Sequence, residues 1–201
     1  MAKAREERIK ARKAKTFRRR VLAIAIIVVV VAALVWLYQS SRPLPAASNL
    51  NTVVLRTSMG DITIELYDDM PITTGNFRNL VSQGVYDGTI FHRVVANFVV
   101  QGGDATSKGI NVATIADELP NKHSNIRGSV AMAKTSAPNS ATSQFYINLK
   151  DNSADLDSNY SVFGAVINGM TVVDNIGQVQ TDQNDKPLQD VTLTKAELVG
   201  P

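Results

Sequence analysis

A mainly β fold, an eight-stranded antiparallel barrel capped by two α-helices and preceded by one transmembrane helix, is what the sequence predicts. Three observations predict it. Residues 21–38 form an unbroken apolar run, the dominant hydrophobic period from residue 52 onward is two, and only two later stretches carry helical spacing. Many short strands with few helices favour closure, because a closed sheet presents no edge to other chains.

The first element is VLAIAIIVVVVAALVWLY, residues 21–38, with no charged side chain. As a helix it spans about 27 Å, close to the hydrocarbon thickness of a bilayer. Arg18, Arg19 and Arg20 precede it, and Trp36 and Tyr38 sit at its far end, where amphipathic rings favour the interface. The expectation is an uncleaved signal-anchor in the cell membrane, with residues 1–20 as a basic cytoplasmic segment and the rest of the chain extracytoplasmic. A cleaved signal peptide with a small-residue exit at 45–48 is the rival; the apolar run is longer than the roughly 7–15 residues of a signal h-region. Residues 39–51, QSSRPLPAASNLN, have the composition of a semi-extended linker, reaching at most roughly 40 Å.

The domain expected over residues 52–198 begins with VVLRTS and DITIELY, which alternate across a turn at Met59-Gly60-Asp61 and place Ile62, Ile64 and Leu66 on one face of a hairpin. PITTGNFRNLVSQG (71–84) reads as a helix, with Thr73 or Thr74 as cap, Phe77, Leu80 and Val81 on its apolar face and Gly84 as its stop. Further strands are expected at 90–95, 97–101, 128–133, 143–149, 161–166 and 190–197, and a second, short helix at 169–177. The polar, weakly periodic segments 105–127 and 151–160 read as surface loops.

Charge and composition exclude several functions. Residues 1–20 hold ten Lys and Arg against two Glu, which leaves 11 basic and 16 acidic residues for the remainder. The folded part is therefore acidic, which argues against a nucleic-acid partner. With no cysteine, disulfides, thiolate catalysis and sulfur-ligated metals are excluded, and two histidines do not make a histidine-rich metal site. No cofactor motif is present: Gly102-Gly103 lacks the lysine and spacing of a phosphate loop and reads as a bulge or turn. A Ser-His-Asp hydrolase is equally unsupported, since no G-x-S-x-G occurs.

That leaves FHRVVANFVVQGGD, residues 91–104. On a strand at 91–95, Phe91, Arg93 and Val95 share one face and His92 and Val94 the other. A lone strand arginine is ordinarily an exposed ion pair, and His92 reads as a hydrogen-bonded structural histidine.

The alternative for Arg93 comes from four stretches taken in order: GDITIELYDDMPITTGNF, YDGTIFHRVVANFVVQGGD, MAKTSAPNSATSQFYI and VFGAVINGM. Together they resemble the cyclophilin family of peptidyl-prolyl isomerases, the rotamases, over about residues 52–198. The resemblance implies a barrel with a substrate groove on its outside, no cofactor, and proline-containing polypeptides as substrates. It implies that Arg93 is the catalytic arginine, Gln101 the glutamine beside it, and Phe98 and Val99 a wall of the proline pocket. Ala133 and Lys134 match the backbone edge that pairs with substrate, Gln144 the polar rim, and Tyr146, Leu156 and Tyr160 the remaining wall. Three departures stand out. Tyr146 replaces the usual phenylalanine and adds a hydroxyl at the pocket wall, a Gly-Thr-Gly-Gly loop is missing after Asp104, and Tyr160 replaces a histidine. Asp155 stands where cyclosporin-sensitive members carry a tryptophan, so weak cyclosporin binding is expected. With the anchor, the reading is an isomerase acting on secreted or membrane proteins during folding. A proline-recognising chaperone or binding module with incidental catalysis is the alternative.

Overall fold

The computed structural model describes residues 50–200. The basic segment, the apolar stretch 21–38 and most of the linker lie outside the described residues. No helix among those described is long and apolar enough to cross a membrane.

The hairpin forms because its alternation buries one face. β1 (Thr52–Thr57) and β2 (Gly60–Leu66) pair antiparallel with Thr57 opposite Gly60, so the turn proper is Ser58-Met59. Val53, Leu55, Ile62, Ile64 and Leu66 are all buried. The remaining strands are β3 (Thr89–Ile90), β4 (Arg93–Val95), β5 (Val99–Gly102), β6 (Ser129–Met132), β7 (Phe145–Asn148), β8 (Val162–Asn168) and β9 (Thr192–Val199). They form one antiparallel sheet in the order β3-β9-β1-β2-β8-β6-β7-β5-β4.

Nine strands thus replace the eight expected, and the difference has one origin. The single strand expected at 90–95 breaks at Phe91-His92 into the two edge strands of the sheet. Because β3 and β4 are separated by only those two residues, the two edges must lie close together, and the sheet curls into a nearly closed barrel. The break also corrects the expected faces. Phe91 and Val94 are both buried in the interior, while Arg93 remains partly exposed on the outside. Phe91 N–H donates to Val191 O at 2.9 Å and Val94 N–H to Asp185 O at 2.8 Å, holding both sides of the corner.

The interior is organised around aromatic rings. Phe77, Tyr86, Phe145 and Phe163 are fully buried, with Phe77 5.0, 5.4 and 4.9 Å from the other three ring centroids. Burying each such side chain contributes about 1.5–3 kcal/mol. Tyr86 keeps its hydroxyl satisfied by donating to Ser143 O at 2.9 Å. Gly103 turns away from β5 at φ +77°, and a Cβ there would meet the Phe145 ring at 2.8 Å. The glycine pair is therefore a turn under a packed ring.

Phe77 is carried by α1 (Pro71–Ser82), whose buried side chains include Leu80 and Val81 as expected. Gly84, at φ +65°, follows as the left-handed stop. The cap differs from expectation: the helix begins at Pro71, and neither Thr73 nor Thr74 caps it. Glu118 does so from a distant loop, accepting from Ile72 N–H at 3.1 Å and Thr73 N–H at 2.7 Å. Thr74 Oγ1 instead donates to Tyr67 O at 2.8 Å.

The two segments read as loops are partly helical. A 3₁₀ turn covers Ala105–Lys108, capped by Asp104, and a short α2 covers Ser153–Leu156. With α3 (Met170–Ile176) the described residues hold three α-helices rather than two. α2 is four residues long, too short for periodicity to reveal.

Candidate active site

β4, β5, β7 and β6 are neighbours in the sheet, and their side chains alternate between two apolar clusters. Val94, Val100, Phe145, Ile147, Val130 and Met132 point inward to the main core. On the outer face Arg93 is the register partner of Gln101, Gln101 of Tyr146, and Tyr146 of Ala131. A row of side chains therefore runs across four strands from a guanidinium to an apolar floor. Val99, Ala131, Ala133, Tyr146 and Val162 form a second buried cluster there, against which Phe98, Leu156 and Tyr160 pack.

This outer cluster opens into a cavity of about 230 Å³ lined by Arg93, Phe98, Val99, Gln101, Ala133, Lys134, Tyr146, Leu156 and Tyr160. Nine of the ten residues singled out from the sequence meet in it. The tenth, Gln144, lines an adjoining cavity of about 160 Å³ with Gln101, Ala133, Lys134, Thr135, Ser140 and Thr142. Gln101 bridges the two, its Nε2 donating to Gln144 Oε1 at 2.9 Å. A larger groove of about 670 Å³ lies elsewhere, between the Ser58-Met59 turn and residues 179–191. Asp190 is the sole ionisable side chain among its lining residues, so it offers no cationic donor.

Arg93 is 39% exposed, and its Nε lies 3.5 Å from Asp185 Oδ2, an acid that strand patterning did not flag. Its exposed ion pair and its place in the cavity wall thus coexist. Lys134 is almost buried, with Nζ 2.9 Å from Asp117 Oδ2. Asp117 also accepts from Asn139 N–H at 3.0 Å, which ties the Pro138-Asn139 turn to the site. The Ala133 N–H is already donated to Gln144 O at 2.9 Å, so only its carbonyl is left to pair with an incoming chain.

One expectation needs correction. The Tyr146 hydroxyl does not add a polar group to the pocket surface. It turns into the protein and donates to Asn125 Oδ1 at 2.7 Å, while burial pushes the phenol well above its ordinary pKa. The ring presented to the cavity is apolar, packed edge-on against Tyr160 with centroids 5.8 Å apart. His92, expected to be hydrogen-bonded, is half-buried beside the Gln144 side chain and the Ile90 backbone, with Nδ1 itself lacking a partner among the described residues. Burial lowers its pKa, so the ring is neutral at physiological pH. Asn125, Asp117 and Asp185 were missed because each sits in a loop whose local pattern carries no sign of its distant partner.

Comparison with known proteins identifies the family. The family model described as cyclophilin type peptidyl-prolyl cis-trans isomerase/CLD matches residues 52–198. The chain is 44% identical over 161 residues to a peptidyl-prolyl cis-trans isomerase of Acinetobacter baylyi, covering 74% of this chain and 86% of that one. It is 42% identical over 166 residues to peptidyl-prolyl cis-trans isomerase cyp18 of Streptomyces antibioticus, covering 75% and 100%. Among solved structures, a cyclophilin type isomerase of Cryptosporidium parvum superposes with a TM-score of 0.70 at 28% identity, over 75% of this chain and 98% of that one. The same protein crystallised in the presence of the dipeptide Ala-Pro superposes with a TM-score of 0.69. With a family match across nearly the whole described domain and relatives above 40% identity, the chain belongs to the cyclophilin-type peptidyl-prolyl cis-trans isomerase family and is an isomerase, a rotamase.

Proposed function

We propose that the outer-face cavity is where this isomerase binds proline and that Arg93 drives the rotation, on secreted or membrane proteins during their folding. One observation carries the reading: of the two cations lining the cavity, Lys134 is paired with Asp117 and almost buried, whereas Arg93 is the partly exposed register partner of Gln101 at the rim. At about 230 Å³ the cavity is smaller than the roughly 300–1,000 Å³ of drug-sized clefts and suits one side chain with its flanking amide. The Ala-Pro dipeptide in the Cryptosporidium relative supports an X-Pro unit as the ligand.

The chemistry follows from the amide. Resonance gives the peptide bond a rotation barrier of about 18–20 kcal/mol and slows X-Pro isomerisation to tens of seconds or more. At the halfway twist the prolyl nitrogen becomes pyramidal and recovers a lone pair. A guanidinium held beside it bonds that lone pair better than the planar ground-state nitrogen, which is selective stabilisation of the transition state. Phe98, Val99, Tyr146, Leu156 and Tyr160 hold the ring still while the other side of the amide turns. Gln101, fixed by Gln144, and the Ala133 carbonyl hold the substrate backbone. No covalent step is required.

Residues 21–38 anchor the enzyme in the cell membrane as a single pass, with the arginine-flanked N-terminus cytoplasmic and the catalytic domain extracytoplasmic. The length of the apolar run and its flanking charges support this. The test of the site is Arg93→Ala in a protease-coupled isomerisation assay. The variant should fold normally and lose about 10²-fold in kcat/KM, the scale of one preorganised donor. A folded variant with the wild-type rate would sink the mechanism.

A further inference from the structure

The cavity walls come from four separate places: Phe98 before β5, Tyr146 on β7, Leu156 at the end of α2, and Tyr160 in the loop after it. Of these four, only Tyr146 is held by the sheet ladder, as Val99 of β5 is beside them. The others are positioned by a cluster of asparagines beneath the site, of which Asn125, Asn148 and Asn152 are essentially fully buried.

Each wall residue is tied to this cluster. Asn152 Nδ2 donates to Phe98 O at 3.0 Å and to Asn148 Oδ1 at 2.7 Å, and Asn152 O accepts from Leu156 N–H at 3.0 Å. Tyr160 O accepts from Asn121 Nδ2 at 2.5 Å and from Asn125 Nδ2 at 3.5 Å. Asn125 is the hub. Its Oδ1 accepts from the Tyr146 hydroxyl at 2.7 Å and from Asn148 Nδ2 at 3.2 Å, and its carbonyl accepts from Asn152 N–H at 2.8 Å. Its own N–H and Nδ2 both donate to Asp157 Oδ1, at 2.7 and 2.9 Å. Asp157 follows α2 directly, between Leu156 and Tyr160, so it fastens the outer wall to the hub.

We infer that Asn125 and Asp157 are positioning residues that hold the four walls of the proline pocket in their binding arrangement before substrate arrives. Buried amide bonds are directional, and both amide ends of Asn125 and of Asn148 are partnered, Asn152 Oδ1 being the one end of the cluster without a partner among the described residues, so the arrangement around the Asn125 hub is rigid. A pocket assembled in advance binds without first ordering its walls, and that gain appears in affinity. Arg93 takes no part in these bonds; it lies on β4, facing Gln101 on β5 and Asp185 in a loop. The network therefore acts on binding and leaves the rotation step alone. The inference rests on the proposed reading of the cavity as the proline site.

The test measures KM and kcat of the full chain on an Ala-Pro-containing peptide for Asp157→Ala, Asp157→Asn and Tyr146→Phe, with thermal melting to verify folding. Asp157 is only half-buried, and Tyr146→Phe removes a single oxygen. Asp157→Ala should raise KM about five- to ten-fold with kcat within about two-fold of wild type, and Tyr146→Phe should raise KM about two- to three-fold. Asp157→Asn keeps an oxygen acceptor and should restore most of the affinity. Wild-type KM in both Asp157→Ala and Tyr146→Phe overturns the inference. So does a fall in kcat at unchanged KM, or an Asp157→Asn variant as impaired as Asp157→Ala. Arg93→Ala in the same assay separates the two ideas: its silence would defeat the reading of the site, whereas its loss of kcat beside an unmoved KM in the network variants would defeat this inference alone.

Discussion

At the scale of single residues, chemistry and position can be separated by substitution. Asp155 lies exposed on α2 directly before the wall residue Leu156, and the expectation of weak cyclosporin binding rests on this position. An aspartate provides neither an indole donor nor a large apolar face. Asp155→Trp should therefore gain at least tens-fold in cyclosporin affinity, the scale of one aromatic anchor, as read by calorimetric titration. Tight binding by the unmodified protein would overturn that expectation. His92 makes a prediction about pH. Its folded pKa lies below the ordinary 6.5 because burial disfavours the charged ring. Between the folded value and 6.5 the unfolded chain binds more protons than the folded one, so stability falls as pH drops through that window. Above 6.5 both states are neutral and the difference vanishes. The melting temperature of the wild type should thus drop more than that of His92→Gln between about pH 7 and 5. Parallel curves would mean that the imidazole titrates alike in both states.

At the scale of elements, α1 shows how a helix can form without local capping. Pro71 sets the first φ, and Phe77, Leu80 and Val81 supply the buried face, but the N-terminal amides rely on Glu118. Glu118→Ala should cost about 1 kcal/mol, the worth of a cap, and lower the melting temperature by roughly 2–4 °C. Glu118→Gln, which retains an acceptor without the charge, should fall between. An unchanged melting temperature in the alanine variant would show that water replaces the carboxylate at no cost. The edge strands teach the complementary lesson. Read locally, residues 90–95 are one strand, since nothing in their alternation marks Phe91-His92 as a corner. The corner exists because Val191, just before β9, holds Phe91 while the loop at Asp185 holds Val94. It sends Phe91 inward and leaves Arg93 on the outer face.

At the scale of the whole molecule, the basic first twenty residues and the acidic remainder predict a definite topology. Protease added to sealed cells, after permeabilisation of any outer membrane, should digest the domain and spare the N-terminal segment. Complete protection until lysis would reverse the orientation. The sequence by itself determined the alternation of the first hairpin and the buried face of α1, and its resemblance to a family singled out the nine residues that meet in one cavity. These were legible because a period of two or 3.6 is a local property and because four stretches in order specify a family. Tertiary structure alone decided the corner joining the two sheet edges, the cap on α1 from a residue 45 positions away, and the inward turn of the Tyr146 hydroxyl toward an asparagine 21 positions before it. A buried polar atom takes whichever partner the closed chain brings within hydrogen-bond reach, and that partner leaves no periodic trace in the segment that needs it.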